Sequence, residues 1–253
     1  MNGHTTRFNP AALARHTYDW LRLHRREGIM RIARHPYYWV KHYPDRKRFR
    51  RDFALEIAGN IAFDRTYGVD TAATASLISL NVPFDSWKHG GNYGCIDEGE
   101  LIDAIKQLEL PYADVTFVDL GSGKGKALLV ASEFPFRSII GVEFSPDLVE
   151  TAKSNIEHFL EVTGRRGRDV TTVCEDAMQY SFPDGPLFLY FFNPFDNTIL
   201  APVIANIAAS FEHSRRPIWV MYFTPRFKEL FDAAPFLTRV SETDRYRLWR
   251  SIE

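Results

Sequence analysis

The sequence predicts a doubly wound α/β fold. It reads as a mostly parallel seven-stranded sheet with an antiparallel last strand, plus an N-terminal helical extension. Three observations predict it. Short apolar runs bounded by turns alternate with segments of helical spacing, the order that yields parallel strands joined by crossover helices. The first run, 115–120, carries Asp119 and passes straight into Gly121, Gly123 and Gly125, a turn of the kind that binds ligands at the carboxyl edge of an open sheet. The last two runs are separated by little more than Glu242-Thr243-Asp244, short enough for a hairpin and hence an antiparallel pair.

Each element follows in order. Leu101, Ile102, Ile105 and Leu108 lie on one face of a helix before the first strand. After the glycines a helix begins near Lys124, its positive N-terminus directed at the turn. The second strand, 138–143, ends in Glu143, 24 residues after Asp119. Leu148, Val149, Ala152, Ile156, Phe159 and Leu160 define the helix 146–162, with Pro146 in its first turn. Strand 170–174 leads to Glu175-Asp176-Ala177, and Cys174 reads as a buried small hydrophobe. Strand 187–192 shows no polar alternation, as expected when both faces are covered. The helix 200–211 places Pro202 in its first turn, and strand 217–223, a short helix 225–233 and the hairpin 236–240 with 245–252 complete the sheet.

The glycine turn excludes two common ligands by its details. A dinucleotide fingerprint needs a third glycine where Lys126 stands. A phosphate loop needs Ser or Thr where Ala127 stands, and glycine where Leu120 stands. What remains, Asp119-Leu120-Gly121-Ser122-Gly123-Lys124-Gly125, resembles the first motif of the class I S-adenosylmethionine (SAM) methyltransferases. Glu143 then has the position and chemistry to accept two hydrogen bonds from an adenosine ribose, and Phe144 is placed to pack on adenine. The resemblance covers about residues 90–253 and implies SAM as cofactor; no cluster of His, Cys and acids stands at ligand spacing, so no metal is expected. It implies cofactor contacts from Asp119, Gly121, Ser122, Gly123, Gly125, Glu143 and Phe144, and from Asp176 and Ala177 at the adenine amino group. Lys126 is expected to face solvent.

Asn193-Pro194-Phe195 ends the fourth strand, at the rim where a sulfonium methyl would lie. It resembles the Asn/Asp-Pro-Pro-Tyr/Phe motif of amino-group methyltransferases, without the second proline. The resemblance implies that Asn193 supplies an amide oxygen to the target nitrogen and Phe195 a ring, with Pro194 shaping the loop; a plain turn leading into a helix is the alternative. Upstream, residues 89–100 form a polar loop containing Tyr93-Gly94. It is similar, distantly, to the loop that closes over SAM in the seven-strand histone-lysine methyltransferase family, which adds Tyr93 to the catalytic candidates.

Composition bounds the rest. The 253 residues are 45% hydrophobic and 14% aromatic, enough for one large α/β domain and an accessory segment. We place the boundary at residues 1–85 and 86–253. Two cysteines, Cys95 and Cys174, offer neither a disulfide framework nor a metal pattern, which fits a reducing cytosol. No signal peptide or membrane-spanning run is evident. The net charge of −1 conceals an asymmetry: residues 1–51 hold 13 Lys or Arg against 3 Asp or Glu. Aromatics interleave them, from Arg34 through Tyr37, Tyr38 and Trp39 to Phe49. Such a segment suits nucleic acid, or else docks on an acidic catalytic domain as a lid or partner-binding helix. Residues 63–71 read either as a lid or as an ordinary turn. The sequence therefore points to a SAM-dependent transferase acting on nitrogen, a protein lysine first. A small-molecule N- or O-methyltransferase, a nucleic-acid methyltransferase and a SAM-binding non-enzyme are the alternatives. Oligomeric state is not legible.

Overall fold

The computed structural model describes residues 58–72 and 96–252. Tyr93, the Tyr93-Gly94 loop and the basic segment 1–51 lie outside the described residues. The compact unit that holds the sheet begins at Glu56. In chain order its elements are α1 (Glu98–Lys106), β1 (Thr116–Leu120), α2 (Lys126–Ala131), β2 (Ser138–Glu143), α3 (Pro146–Val162), β3 (Val170–Cys174) and β4 (Leu187–Phe191). They continue with α4 (Asn197–His213), β5 (Ile218–Phe223), α5 (Lys228–Asp232), β6 (Leu237–Glu242) and β7 (Tyr246–Ser251). The strands form one sheet in the order β3-β2-β1-β4-β5-β7-β6. Strands β1 to β5 pair in parallel, and β7 runs antiparallel to both β5 and β6. The strand order reverses between β1 and β4, which opens a crevice at their carboxyl ends.

Local chemistry sets the ends of the helices. Asp97 caps α1 by accepting from the Glu100 N–H, and Glu98 and Glu100 lie in the first turn with Lys106 in the last, as the helix dipole favours. Ser145 caps α3 ahead of Pro146. Alternate strand residues feed two cores. Phe117, Phe188, Tyr190, Met221 and Phe223 pack with α1, α2 and α3 on one face. Val118, Leu120, Leu189, Phe191, Val220 and Tyr222 pack with α4 and α5 on the other. Strand β4 is buried throughout, as its unbroken apolar run anticipates.

Several expectations need correction. Strand β4 stops at Phe191, one residue early, because Asn193 turns the chain with a φ of 51°. Helix α4 starts at Asn197 rather than residue 200, because the Asp196 carboxylate accepts from the Thr198 and Ile199 N–H groups. Pro202 therefore sits in the second turn, where its ring nitrogen offers no N–H to the helical ladder. Cys174 is exposed rather than buried, since β3 is an edge strand of the sheet.

Residues 58–72 belong to this unit and explain the lysines of the glycine turn. The chain is helical over 58–67. Phe63 is buried and stacks on Phe159 of α3 with ring centroids 5.9 Å apart, and Tyr67 meets the same ring edge-on at 4.8 Å. The Asp64 carboxylate accepts from the Thr71 and Ala72 N–H groups and the Thr71 hydroxyl, closing the turn. Lys126 is buried, not solvated: its ammonium donates to the Asn60 amide oxygen and lies 4.6 Å from the Phe63 ring centroid. Lys124, also buried, donates to Asp70 at 2.8 Å. Asn155 of α3 ties the arrangement together. Its amide accepts from the Asp70 N–H and donates to the Asp70 and Lys124 carbonyls, all at 2.9 Å. Replacing Asn155 by Leu leaves those three backbone groups without these partners, and should lower unfolding free energy by about 3 kcal/mol. The check is the urea midpoint measured at constant slope.

Candidate active site

The crevice is built from the turns after β1, β2, β3 and β4, which the parallel register brings to one edge. Gly121, Gly123 and Gly125 adopt φ angles of 88°, 54° and 85°, the left-handed region open to glycine at little cost. This conformation folds the chain back under β2, with the Gly121 and Ser122 N–H groups donating to the Val142 carbonyl. It also seats α2 with Gly125 at its N-cap. Space is tight. A Cβ on Gly121 would lie 2.4 Å from the Pro194 Cβ, so the glycine turn and the loop after β4 touch directly.

The two carboxylates of the motif lie at the floor. Glu143 is buried and accepts from the Gly123 N–H at 3.0 Å and the Ser145 N–H at 2.9 Å. A carboxylate has about four acceptor sites, so further acceptor capacity remains. Burial raises the Glu143 pKa, and the backbone N–H groups of Ser145, Gly123 and Phe144 partly offset that. Asp119, on β1 opposite Gly141, is pushed well above the usual carboxylate range by burial and then by the Glu143 charge. The native state thus holds protons that the unfolded chain has already released. As pH rises from the ordinary carboxylate range through these raised values, unfolding free energy should fall. Asp119→Asn is expected to flatten that slope, which urea midpoints between about pH 4 and about pH 8 would read.

The other expected residues fall around the same edge. Phe144 is half-buried just beyond β2. Asp176, two residues past β3, is half-buried and accepts from the Met178 N–H at 2.9 Å, while Ala177 is buried. Asn193, Pro194 and Phe195 are all half-buried, and Phe195 packs against the α4 side of the sheet. Ser122 is buried with its hydroxyl making no hydrogen bond, a polar atom enclosed within the glycine cradle. Among the described residues no group of three or more side chains could hold a metal ion. None of their helices is long and apolar enough to cross a membrane.

Two residues were missed by the sequence reading. Gly141 lies mid-strand in β2, where a Cβ would come within 2.6 Å of both the Leu128 Cδ1 and the Ser122 Oγ; a glycine inside a strand was the available signal. Tyr222, at the carboxyl end of β5 and in register with Phe191, donates its hydroxyl to the Asn193 Oδ1 at 2.8 Å. Burial pushes its pKa up to about 12, against the pull of the Arg226 and Phe227 backbone N–H groups. Its signal was a lone hydroxyl at the end of an apolar strand.

This sheet order, with its reversed final hairpin and glycine turn, is the class I fold of the SAM-dependent methyltransferases, as the sequence resemblance implies. A family model described as histone methylation protein DOT1 matches residues 86–182. A curated relative, the release factor glutamine methyltransferase of Aliivibrio fischeri, is 46% identical over 74 residues, 28% of this chain. That match spans 26% of the relative's own length. Among solved structures, an RNA methyltransferase from Salinibacter ruber in complex with S-adenosyl-L-homocysteine is 18% identical. The alignment covers 62% of this chain and 92% of that one, with a TM-score of 0.40. A magnesium protoporphyrin IX methyltransferase from Synechocystis PCC 6803 with bound SAM is 14% identical over 61% of this chain and 76% of that one, with a TM-score of 0.41.

Proposed function

We propose that the protein is a SAM-dependent methyltransferase that methylates a nitrogen of a protein side chain, lysine first. The reading rests on one observation. The Asn193-Pro194-Phe195 loop touches the glycine turn at Gly121, so a donor held by that turn and an acceptor held by that loop share one crevice. The residues fit SAM: a glycine cradle for its polar chain, a buried carboxylate with acceptor capacity for the ribose hydroxyls, and half-buried Phe144 and Asp176 for the adenine. When bound, SAM supplies a methyl group on a sulfonium, open to in-line displacement. The protein's own contribution is alignment of the two partners to within about 3–3.5 Å.

Asn193 offers a neutral amide oxygen to an acceptor N–H. Tyr222, with a pKa of about 12, remains protonated at neutral pH and is no general base. A lysine would therefore have to enter as the free amine, its ammonium disfavoured by burial. The DOT1 match supports a protein acceptor. The release factor relative supports a second reading, a glutamine side-chain amide, whose nitrogen needs no prior loss of charge.

The test is transfer of labelled methyl from SAM into lysate of the source cell, divided into macromolecular and small-molecule fractions. Label that survives nuclease but not protease is the expected result, and hydrolysis then separates methyl-lysine from methyl-glutamine. Label only in small molecules would replace the protein acceptor with a metabolite, and nuclease-sensitive label with a nucleic acid. Binding of SAM without transfer to any fraction would leave a SAM-binding protein that is not an enzyme.

A further inference from the structure

We infer that Tyr222 is a positioning residue that fixes the Asn193 carboxamide with its oxygen available to the group receiving the methyl. The inference rests on the SAM site proposed above. Asn193 stands two residues past the end of β4 with a φ of 51°, and Pro194 beside it abuts Gly121, so its backbone is held at the donor turn. Its amide is the part free to rotate, and the two ends of an amide are opposites, one accepting and one donating. Tyr222 decides between them. The hydroxyl has one proton to give, and the ring is held by the β5 strand that ends beside Asn193. Its proton is left to point at Asn193, 2.8 Å away, and a proton there selects the amide oxygen. A flipped amide would aim an N–H at the hydroxyl and deprive the hydroxyl proton of this acceptor. The Asn193 oxygen keeps its second lone pair, which serves an acceptor N–H. Tyr222 comes from β5 while Asn193 follows β4, so the parallel pairing of Phe191 with Tyr222 sets the distance between them.

A probe that needs no knowledge of the acceptor tests this. Sinefungin is a SAM analogue in which an amine stands where the transferred methyl stands; S-adenosylhomocysteine has nothing there. The wild-type protein is expected to bind sinefungin at least about tenfold more tightly than S-adenosylhomocysteine, the worth of one charge-assisted hydrogen bond. Tyr222→Phe should erase that preference while S-adenosylhomocysteine affinity stays within about twofold. A preference retained in Tyr222→Phe overturns the inference, as does no preference in the wild type. Asn193→Asp, with Tyr222 intact, presents an oxygen on either side of its terminal group and should keep the preference. Its loss there also overturns the assignment, and this arm stands even where Tyr222→Phe does not fold. Failure of the wild type to bind S-adenosylhomocysteine at all would instead overturn the SAM-site reading.

Discussion

Glu143→Ala is expected to weaken SAM and S-adenosylhomocysteine binding by about a hundredfold or more. The carboxylate has two tasks in one place. It holds the glycine turn through Gly123 and the start of the next segment through Ser145, and it is the acceptor proposed for the ribose hydroxyls. Hydrogen bonds to a charged group are worth about 1.5–3 kcal/mol each, and the loss of two accounts for the factor. Glu143→Gln should fall between the two, since an amide can accept at only one of its ends while both backbone donors need an acceptor. Titration calorimetry with S-adenosylhomocysteine measures the affinities, and a urea midpoint on the same samples separates affinity from folding. Unchanged affinity in a folded Glu143→Ala protein would place the ribose elsewhere.

Gly121→Ala should cost still more in turnover. Alanine must adopt a φ of 88°, and its methyl must find room 2.4 Å from the Pro194 Cβ. Something has to shift, and both walls of the crevice meet at this contact. A displacement of about 1 Å between reacting groups reduces rate by about a hundredfold. Methyl transfer should fall by at least that factor at saturating SAM. A Gly121→Ala protein that keeps its full rate would show that the two loops are not coupled through this contact.

Much of this architecture was readable because the signals are local. Seven apolar runs become seven strands, and the apolar face expected for α3 is the one it buries. The alternate glycines do adopt positive φ. What escaped is non-local. Lys126 in a glycine-rich turn reads as solvated, yet it and Lys124 are buried because partners 66 and 54 residues earlier come back to meet them. The start of α4 escaped for the reverse reason: the apolar spacing begins at Leu200, while an aspartate at position 196 sets the true start. Tyr222 is one aromatic among several in an apolar strand, and only the pairing of β4 with β5 places its hydroxyl at Asn193. Exposure of Cys174 follows from the position of β3 in the sheet, which the order of strands along the chain does not reveal.

The docking of residues 58–72 also sets an order of events during folding. Phe63 and Asn60 leave the ribosome early, but Lys126, Asn155 and Phe159 must be made before these residues have anything to pack against. Closing so long a loop is slow compared with forming a helix or hairpin. The glycine turn is therefore expected to mature after the β1–β2 pair, its two lysines losing their water only when the N-terminal stretch returns. Refolding followed by ligand binding should lag behind refolding followed by backbone circular dichroism.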